Sequence, residues 1–241
     1  MKIDPLIQGS QYVEHNDWQI YHSPRLSVTW LRNLLNLDVP QDKKDSQDIV
    51  ASDDDMVLLK LESDIGLIAA KHYKKPALTK IAANTLGQDP AQINWFFAHH
   101  LNTNGINTPA PLALMVERKM GLPIRSWYLC QFEEGIGCEN YFFYAKAITP
   151  AMANTASAIV DMFISIRECQ LSHGDLTADK LLIVDGRPYL TDMSNMKFYS
   201  KEKKAESMWR NDIEQFMNCW DERYDAYKQF KQVFLKRNIS F

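Results

Sequence analysis

The sequence has 241 residues, of which 46% are hydrophobic and 11% aromatic. This excludes a disordered chain, because so many apolar side chains can bury a sizeable core in one domain or in two lobes. The formal net charge of −3 gives no electrostatic argument for a nucleic-acid partner.

The four cysteines have no Cys-x-x-Cys spacing, which favours buried free thiols in a reducing compartment over zinc sites or disulfides. The N-terminus lacks an apolar core of signal-peptide length, and no stretch approaches the ~20 apolar residues of a membrane span. We therefore expect a cytoplasmic protein, with peripheral contact to a membrane surface left open.

The first 55 residues give weak structural signals. Residues 1–37 contain apolar and aromatic side chains without a strict period, and the alternation over 26–31 predicts a strand. Residues 38–55 are charged and end in three consecutive aspartates, Asp53 to Asp55. A metal site is one interpretation of these aspartates, but a solvated loop is the usual origin of such a run and is favoured here.

Two clear strand patterns follow, over 56–61 and 66–73. The turn-forming segment 63–66 between them predicts a hairpin. Lys71 lies near the end of the second strand, after small apolar residues. Taken alone, it is an ordinary surface lysine at a strand end.

Two helices are predicted next. The first covers 76–86 and is stopped by Gly87. The second has Asp89 as its N-cap and Pro90 at its first position, and it ends before Gly105. Proline at a helix start and glycine just past its end are the typical order of these two residues.

The middle of the chain predicts another hairpin, with strands over 112–117 and 126–132 around Met120-Gly121. A loop and a short helix are expected over 134–149. An amphipathic helix over 152–169 then leads directly into the next motif.

The most informative stretch is Ser172 to Ile183 followed by Tyr189 to Asp192. It predicts a tight polar turn, an apolar strand, a two-residue turn at Asp185-Gly186 and a second strand that ends in an aspartate. This arrangement brings Asp175 and Asp192 to the same end of a hairpin. A phosphoryl-transfer site of the kinase type needs two such carboxylates, one for the proton of the attacking hydroxyl and one for Mg²⁺.

These residues resemble the protein-kinase-like superfamily. The form His173-Gly174-Asp175-Leu176 is most similar to bacterial sugar kinases, above all the lipopolysaccharide core kinases that phosphorylate heptose or Kdo. Lys71-His72-Tyr73 and the segment 105–109 are also similar to that family. The resemblance implies an α+β, bilobal kinase-like fold, with a small antiparallel-sheet N-lobe over 1–132 and a mainly helical C-lobe over 133–241.

The resemblance also implies roles in catalysis. Asp175 would be the general base and Asp192 the Mg²⁺ ligand. His173 and Asp212 would hold the catalytic loop in place. The order of these parts along the chain matches the kinase scheme over nearly the whole sequence.

The implied cofactors are ATP and Mg²⁺, and the implied partner is a sugar or lipopolysaccharide core acceptor, with peripheral contact to the inner membrane left open. Lys71 would grip the α- and β-phosphates of ATP. Glu133 lies in the segment 131–135, where a hinge would join the two lobes and offer backbone groups to adenine.

Three parts depart from the family pattern. Asn94 aligns with the glutamate that usually pairs with the phosphate lysine. The glycine-rich loop lacks its glycines, and the segment 23–27 is the expected substitute. Lys180 stands where the family has the asparagine that holds a second Mg²⁺, although a protonated lysine cannot ligate a metal.

Two functions therefore remain open. The first is an ATP-dependent phosphotransferase acting on a sugar hydroxyl in lipopolysaccharide core biosynthesis, with the ammonium of Lys180 contacting the γ-phosphate. The second is a catalytically inactive pseudokinase that acts as a binding or regulatory module, with Lys180 paired to Asp175 or Asp192. The combined presence of Lys71, Asp175 and Asp192 favours the enzyme.

Overall fold

The structure, a computed structural model, describes residues 7, 9–37, 39, 48–73, 89–143 and 147–240. The helix predicted over 76–86, with its stop at Gly87, lies outside the described residues. Half of the charged loop predicted over 38–55 also lies outside them, and in the described part the prediction is wrong over Ile49–Ser52, which form a strand.

Contacts divide the chain into two compact units. The first comprises Met1–His100 and Pro109–Phe132, and the second comprises Leu101–Thr108 and Glu133–Phe241. An antiparallel sheet dominates the first unit and helices dominate the second. The predicted α+β fold class is thereby confirmed.

The strands of the first unit are β1 (Gln11–His15), β2 (Trp18–His22), β3 (Ile49–Ser52), β4 (Met56–Ser63), β5 (Gly66–Tyr73), β6 (Pro111–Lys119) and β7 (Leu122–Gln131). They form one sheet in the order β1-β2-β6-β7-β5-β4-β3, and every neighbouring pair is antiparallel. Helix α1 (Val28–Leu34) follows β2, and helix α2 (Pro90–Thr103) precedes β6 and extends into the second unit.

Both predicted hairpins of this sheet are confirmed. Strands β4 and β5 pair continuously from Met56↔Tyr73 to Ser63↔Gly66, and β6 pairs with β7. Burial alternates along β4, where Val57 and Leu59 face the core while their neighbours are more exposed. This period of two in burial is the one expected of a strand with one face on the core.

The strand predicted over 26–31 is wrong, because α1 occupies most of that segment. The hydroxyl of Ser27 caps the helix by accepting the backbone N–H of Trp30 at 3.1 Å. Leu31 and Leu34 lie three positions apart on the helix and are both buried. The local cap and this helical spacing outweigh the short alternation that suggested a strand.

The helices that begin in the second unit are α3 (Cys138–Phe143), α4 (Pro150–Glu168), α5 (Glu202–Met217) and α6 (Asp225–Lys236). Its short strands are β8 (Ile136–Gly137), β9 (Leu171–Ser172), β10 (Leu181–Val184), β11 (Arg187–Leu190) and β12 (Lys197–Phe198), and a 3₁₀ turn covers Ala178–Lys180. The predicted amphipathic helix and the predicted hairpin at Asp185-Gly186 correspond to α4 and to the β10–β11 pair.

An aromatic cluster forms much of the core of the second unit. Phe163 on α4, Phe216 on α5, and Phe230 and Phe234 on α6 are all almost fully buried. Their rings meet at centroid distances such as 4.9 Å for Phe216 and Phe230 and 5.1 Å for Phe163 and Phe216.

Among the helices in the described residues, none combines the length and apolarity that a membrane crossing requires.

Candidate functional site

Glycine is required at the start of the loop 173–180, which follows β9. Gly174 has a φ of +81°, in the left-handed region that favours glycine. A Cβ atom at this position would also lie 2.9 Å from the backbone oxygen of Asn195. Both conformation and space therefore exclude a side chain between His173 and Asp175.

The imidazole of His173 connects the backbones of the two predicted catalytic aspartates. Its Nδ1 accepts the backbone N–H of Asp175 at 3.3 Å, and its Nε2 lies 2.5 Å from the carbonyl oxygen of Asp192. These partners assign a neutral ring with its proton on Nε2. Burial lowers the pKa of His173 from its usual value, and the charge of Asp212 only partly opposes this shift.

One face of α5 and the residue two positions past its end hold the loop. Three side chains accept four backbone N–H groups: Asp212 from His173 (2.7 Å) and Gly174 (2.8 Å), Gln215 from Leu176 (3.1 Å), and Cys219 through its sulfur from Ala178 (3.4 Å). The role expected of Asp212 is confirmed. Gln215 and Cys219 were not predicted, although positions 212, 215 and 219 have the spacing of one helix face.

Asp212 is a buried carboxyl, with 2% of its surface exposed. Burial raises its pKa, and the hydrogen bonds from the loop N–H groups oppose that shift. Hydrogen bonds of this kind to a carboxylate are stronger than those between neutral groups. Asp212 is therefore the main anchor of the loop.

Lys180 lies among the carboxylates at the end of the β10–β11 hairpin. Its Nζ is 3.1 Å from Oδ2 of Asp179 and 3.9 Å from Oδ2 of Asp192. Burial lowers the pKa of Lys180, but the hydrogen bond to Asp179 and the charges of Asp179, Asp192 and Asp175 outweigh burial and raise it above its usual value. The sequence left open whether Lys180 pairs with Asp175 or with Asp192. In the structure, its ammonium is within ion-pair distance of Asp192.

The described residues contain no group of three or more His, Cys, Asp or Glu side chains that could enclose a metal ion. Mg²⁺ in kinases is held by one or two carboxylates together with phosphates and water, so Asp192 fits the role of ligand to one such ion. A second Mg²⁺ does not fit these residues. Lys180 stands where kinases have the asparagine that binds this ion, and its positive charge lies close to Asp192.

In the first unit, Lys71 lies on β5, opposite Leu58 of β4 and Tyr128 of β7. It is 6% exposed, so it is not the ordinary surface lysine that the isolated sequence pattern would suggest. A buried lysine is uncommon in proteins. Its proposed role in phosphate binding stays a prediction.

Asn94 is fully buried on α2, and its amide links this helix to β5. The Nδ2 group donates to the hydroxyl of Tyr73 at 2.9 Å and to the carbonyl oxygen of Pro90 at 2.9 Å. Tyr73 lies two positions after Lys71 on the same strand. The helix is thus connected to the lysine strand through a neutral hydrogen bond to Tyr73.

The turn between β3 and β4 occupies the place in the strand order where kinases have the glycine-rich loop, ahead of the lysine strand. Here the turn is Asp53-Asp54-Asp55. The carboxylate of Asp53 accepts the backbone N–H groups of Asp55 (2.8 Å) and Met56 (2.7 Å). These two N–H groups are therefore bonded within the hairpin, and all three aspartates are exposed, which supports the solvated-loop interpretation.

The segment 23–27, expected to replace the glycine-rich loop, lies elsewhere. It joins β2 to α1, and its last residue is the N-cap of that helix. That expectation is wrong, because a phosphate loop of this type joins two strands.

Glu133 follows β7 and is the first residue of its segment in the second unit. It is half-buried, and burial raises the pKa of its carboxyl. The two residues before it donate backbone N–H groups to Ala110 and Leu67. The predicted contact of Glu133 with adenine remains a prediction.

No protein-family model matches the sequence, and the comparison with curated proteins finds no match. Among solved structures, the chain is similar to WaaP in complex with acyl carrier protein, with a TM-score of 0.53 and 13% sequence identity over 80% of this chain and 79% of that one. At this identity the similarity establishes the fold, which is the kinase-like α+β fold.

Proposed function

We propose that this chain transfers the γ-phosphoryl group of ATP to a hydroxyl of a sugar, in the lipopolysaccharide core. The observation that carries the proposal is the imidazole of His173, which joins the backbones of Asp175 and Asp192. Phosphoryl transfer depends mainly on positioning and electrostatic stabilisation. A rigid link between the two carboxylate-bearing residues is what such a reaction requires.

In the proposed reaction, Asp175 accepts the proton of the sugar hydroxyl while the oxygen forms a bond to the γ-phosphorus. The bond from that phosphorus to the ADP oxygen breaks in the same step. Asp192 would hold Mg²⁺, which neutralises charge on the phosphates when it is bound. Lys71 would contact the phosphates, and the backbone at Glu133 would contact adenine.

The sugar acceptor rests on the resemblance of His173-Gly174-Asp175-Leu176, Lys71-His72-Tyr73 and the segment 105–109 to lipopolysaccharide core kinases. A protein substrate is less well supported. Asp192-Met193-Ser194 stands where protein kinases have Asp-Phe-Gly, and their Ala-Pro-Glu segment is missing. We infer that the reaction takes place in the cytoplasm, at or near the inner membrane.

A catalytically inactive pseudokinase is the second candidate. The bond from Asn94 to Tyr73 and the acidic turn at Asp53 favour it. Asn94 stands in place of the glutamate that pairs with the phosphate lysine in active kinases, and the acidic turn stands in place of their glycine-rich loop. In that case the retained loop 173–180 would shape a surface for a partner rather than a reaction site.

The deciding experiment measures transfer of radiolabelled γ-phosphate from ATP to purified lipopolysaccharide core oligosaccharides. We expect Asp175→Asn to lower the rate by about 10²- to 10⁴-fold while the melting temperature is retained, because a general base has been removed. The matched control is Asp221→Asn, which changes an exposed carboxylate paired with Arg223. Equal rates in Asp175→Asn and the wild type, or no transfer by the wild type to any core acceptor, would contradict the proposal.

A further inference from the structure

The ammonium of Lys180 places a positive charge between two carboxylates, one in the loop 173–180 and one just after β11. The ammonium of Lys180 lies between Asp179 at 3.1 Å and Asp192 at 3.9 Å. About a quarter of the side chains of Lys180 and Asp192 is exposed, at 25% and 24%. Their attraction is therefore screened less by solvent than that of a surface pair.

The backbone fixes Lys180 beside Asp192. The N–H of Lys180 donates to Thr177 at 3.1 Å, which closes the 3₁₀ turn. Its carbonyl oxygen accepts both the N–H of Thr191 at 2.9 Å and the hydroxyl of Thr191 at 3.0 Å. Because Thr191 directly precedes Asp192, these three bonds hold the base of the lysine side chain next to that aspartate.

The register of the following hairpin adds to this constraint. Leu181 pairs with Leu190, and the pairing continues to the turn at Asp185-Gly186. A slip of one residue would turn the buried side chains of β10, Leu181 and Ile183, toward the opposite face. The position of Lys180 relative to Asp192 is therefore set by the packing of the strand and does not depend on the weak ion pair alone.

An ammonium at this place and a second divalent ion exclude each other. The charge of Lys180 repels a cation that approaches Asp192, and a protonated lysine offers no lone pair to it. In kinases, the residue at the corresponding sequence position is the asparagine that binds the second Mg²⁺. The residues present here do not form that second site.

We propose that the ammonium of Lys180 replaces the second divalent ion of the two-metal kinases. Without nucleotide, this chain therefore binds divalent cations weakly. With nucleotide bound, it uses at most one divalent cation. The part that concerns nucleotide rests on the proposed function. The part that concerns the cation rests only on the position of Lys180 beside Asp192.

The first test therefore uses no nucleotide. Binding of Mn²⁺ alone is measured by electron paramagnetic resonance on the full chain, for the wild type, Lys180→Asn and Lys180→Met. We expect Lys180→Asn to bind Mn²⁺ at least about tenfold more tightly than the wild type, because it removes the repulsion and adds an oxygen ligand. Lys180→Met removes only the charge and should fall between them.

Two further variants assign the site. Adding Asp192→Asn to Lys180→Asn should abolish the gained Mn²⁺ binding. Lys197→Asn removes the charge of an exposed lysine on β12 and should leave Mn²⁺ binding as in the wild type. Equal Mn²⁺ affinity in the wild type and Lys180→Asn, whether tight or undetectable, would overturn the proposal, as would a gain that survives Asp192→Asn.

The second test measures ATP affinity by calorimetry, in EDTA and in excess Mg²⁺. We expect the wild type to lose less than about threefold in affinity when Mg²⁺ is removed, and Lys180→Asn to lose more than about tenfold. Equal Mg²⁺ dependence in both proteins would overturn the nucleotide part. Absence of ATP binding in every protein would contradict the proposed function, while the Mn²⁺ result would still decide the role of the ammonium.

Discussion

The loop 173–180 of the second unit and the lysine strand β5 of the first unit are held by different kinds of interaction. A buried carboxylate, Asp212, anchors the loop with two charge-assisted hydrogen bonds. A neutral amide, Asn94, connects α2 to the lysine strand through Tyr73. The loop is thus fixed by hydrogen bonds to a buried carboxylate, whereas the strand that carries Lys71 is joined to α2 by a hydrogen bond between neutral groups.

The largest effect is expected at Asp212. Replacing it with alanine leaves two N–H groups without their acceptor, that of His173 in a buried bond and that of Gly174 in a partly buried one. We expect Asp212→Ala to lower the free energy of unfolding by about 3 kcal/mol, measured by urea denaturation with an unchanged m-value.

Asp212→Asn is the matched control, because it retains one acceptor oxygen and should lose less stability than Asp212→Ala. If both variants unfold within about 0.5 kcal/mol of the wild type, Asp212 is not the anchor of the loop and the comparison fails.

A smaller effect is expected at Asn94. Asn94→Ala removes two hydrogen bonds from a fully buried side chain and should cost about 2 kcal/mol. Tyr73→Phe removes only the hydroxyl that accepts one of these bonds and should cost about 1 kcal/mol.

Because the Asn94–Tyr73 hydrogen bond joins neutral groups, the stability that each variant loses should not change between low and high salt in chemical denaturation. A loss that shrinks strongly as salt is added would reveal an ionic contribution at Asn94. It would then remove the contrast with the loop of the second unit.

The fold and part of the candidate site could be predicted, for identifiable physical reasons. The apolar runs of β4 and β5 and the turn-forming residues between them are local signals, so the two strands and the place of Lys71 on β5 followed from the sequence. The helix at Val28–Leu34 was missed because six alternating residues fit a strand as well as a helix. The Ser27 cap and the helical spacing of Leu31 and Leu34 distinguish the two.

Gln215 and Cys219 could not be assigned because their partners are far along the chain. The bonded residues are 39 positions apart for Leu176 and Gln215 and 41 apart for Ala178 and Cys219. Nothing local to a helix indicates which distant N–H group its polar side chains will meet. The helical spacing from Asp212 is the one signal that could have suggested them.

Gln215 provides the third prediction. Gln215→Leu keeps a side chain of similar size but leaves the N–H of Leu176 without its acceptor, so we expect a loss of about 1 kcal/mol in urea denaturation. Glu214→Leu, an exposed neighbour on the same helix, controls for adding an apolar side chain there. Equal losses in the two variants would mean that Gln215 has no positioning role in the loop.

The smallest effect is expected in the turn between β3 and β4, the other part of the first unit that departs from the kinase pattern. Asp53→Ala removes the acceptor of two backbone N–H groups, but the turn is exposed and water can replace the carboxylate. We therefore expect a loss of only about 0.5 kcal/mol, near the lower end of values for single hydrogen bonds. Asp54→Ala, one residue further along the same exposed turn, should lose less than Asp53→Ala when both are measured together by thermal and urea denaturation. If Asp53→Ala loses as much stability as Asp212→Ala, the first unit also relies on a carboxylate anchor. The two regions would then differ in the exposure of that carboxylate rather than in its charge.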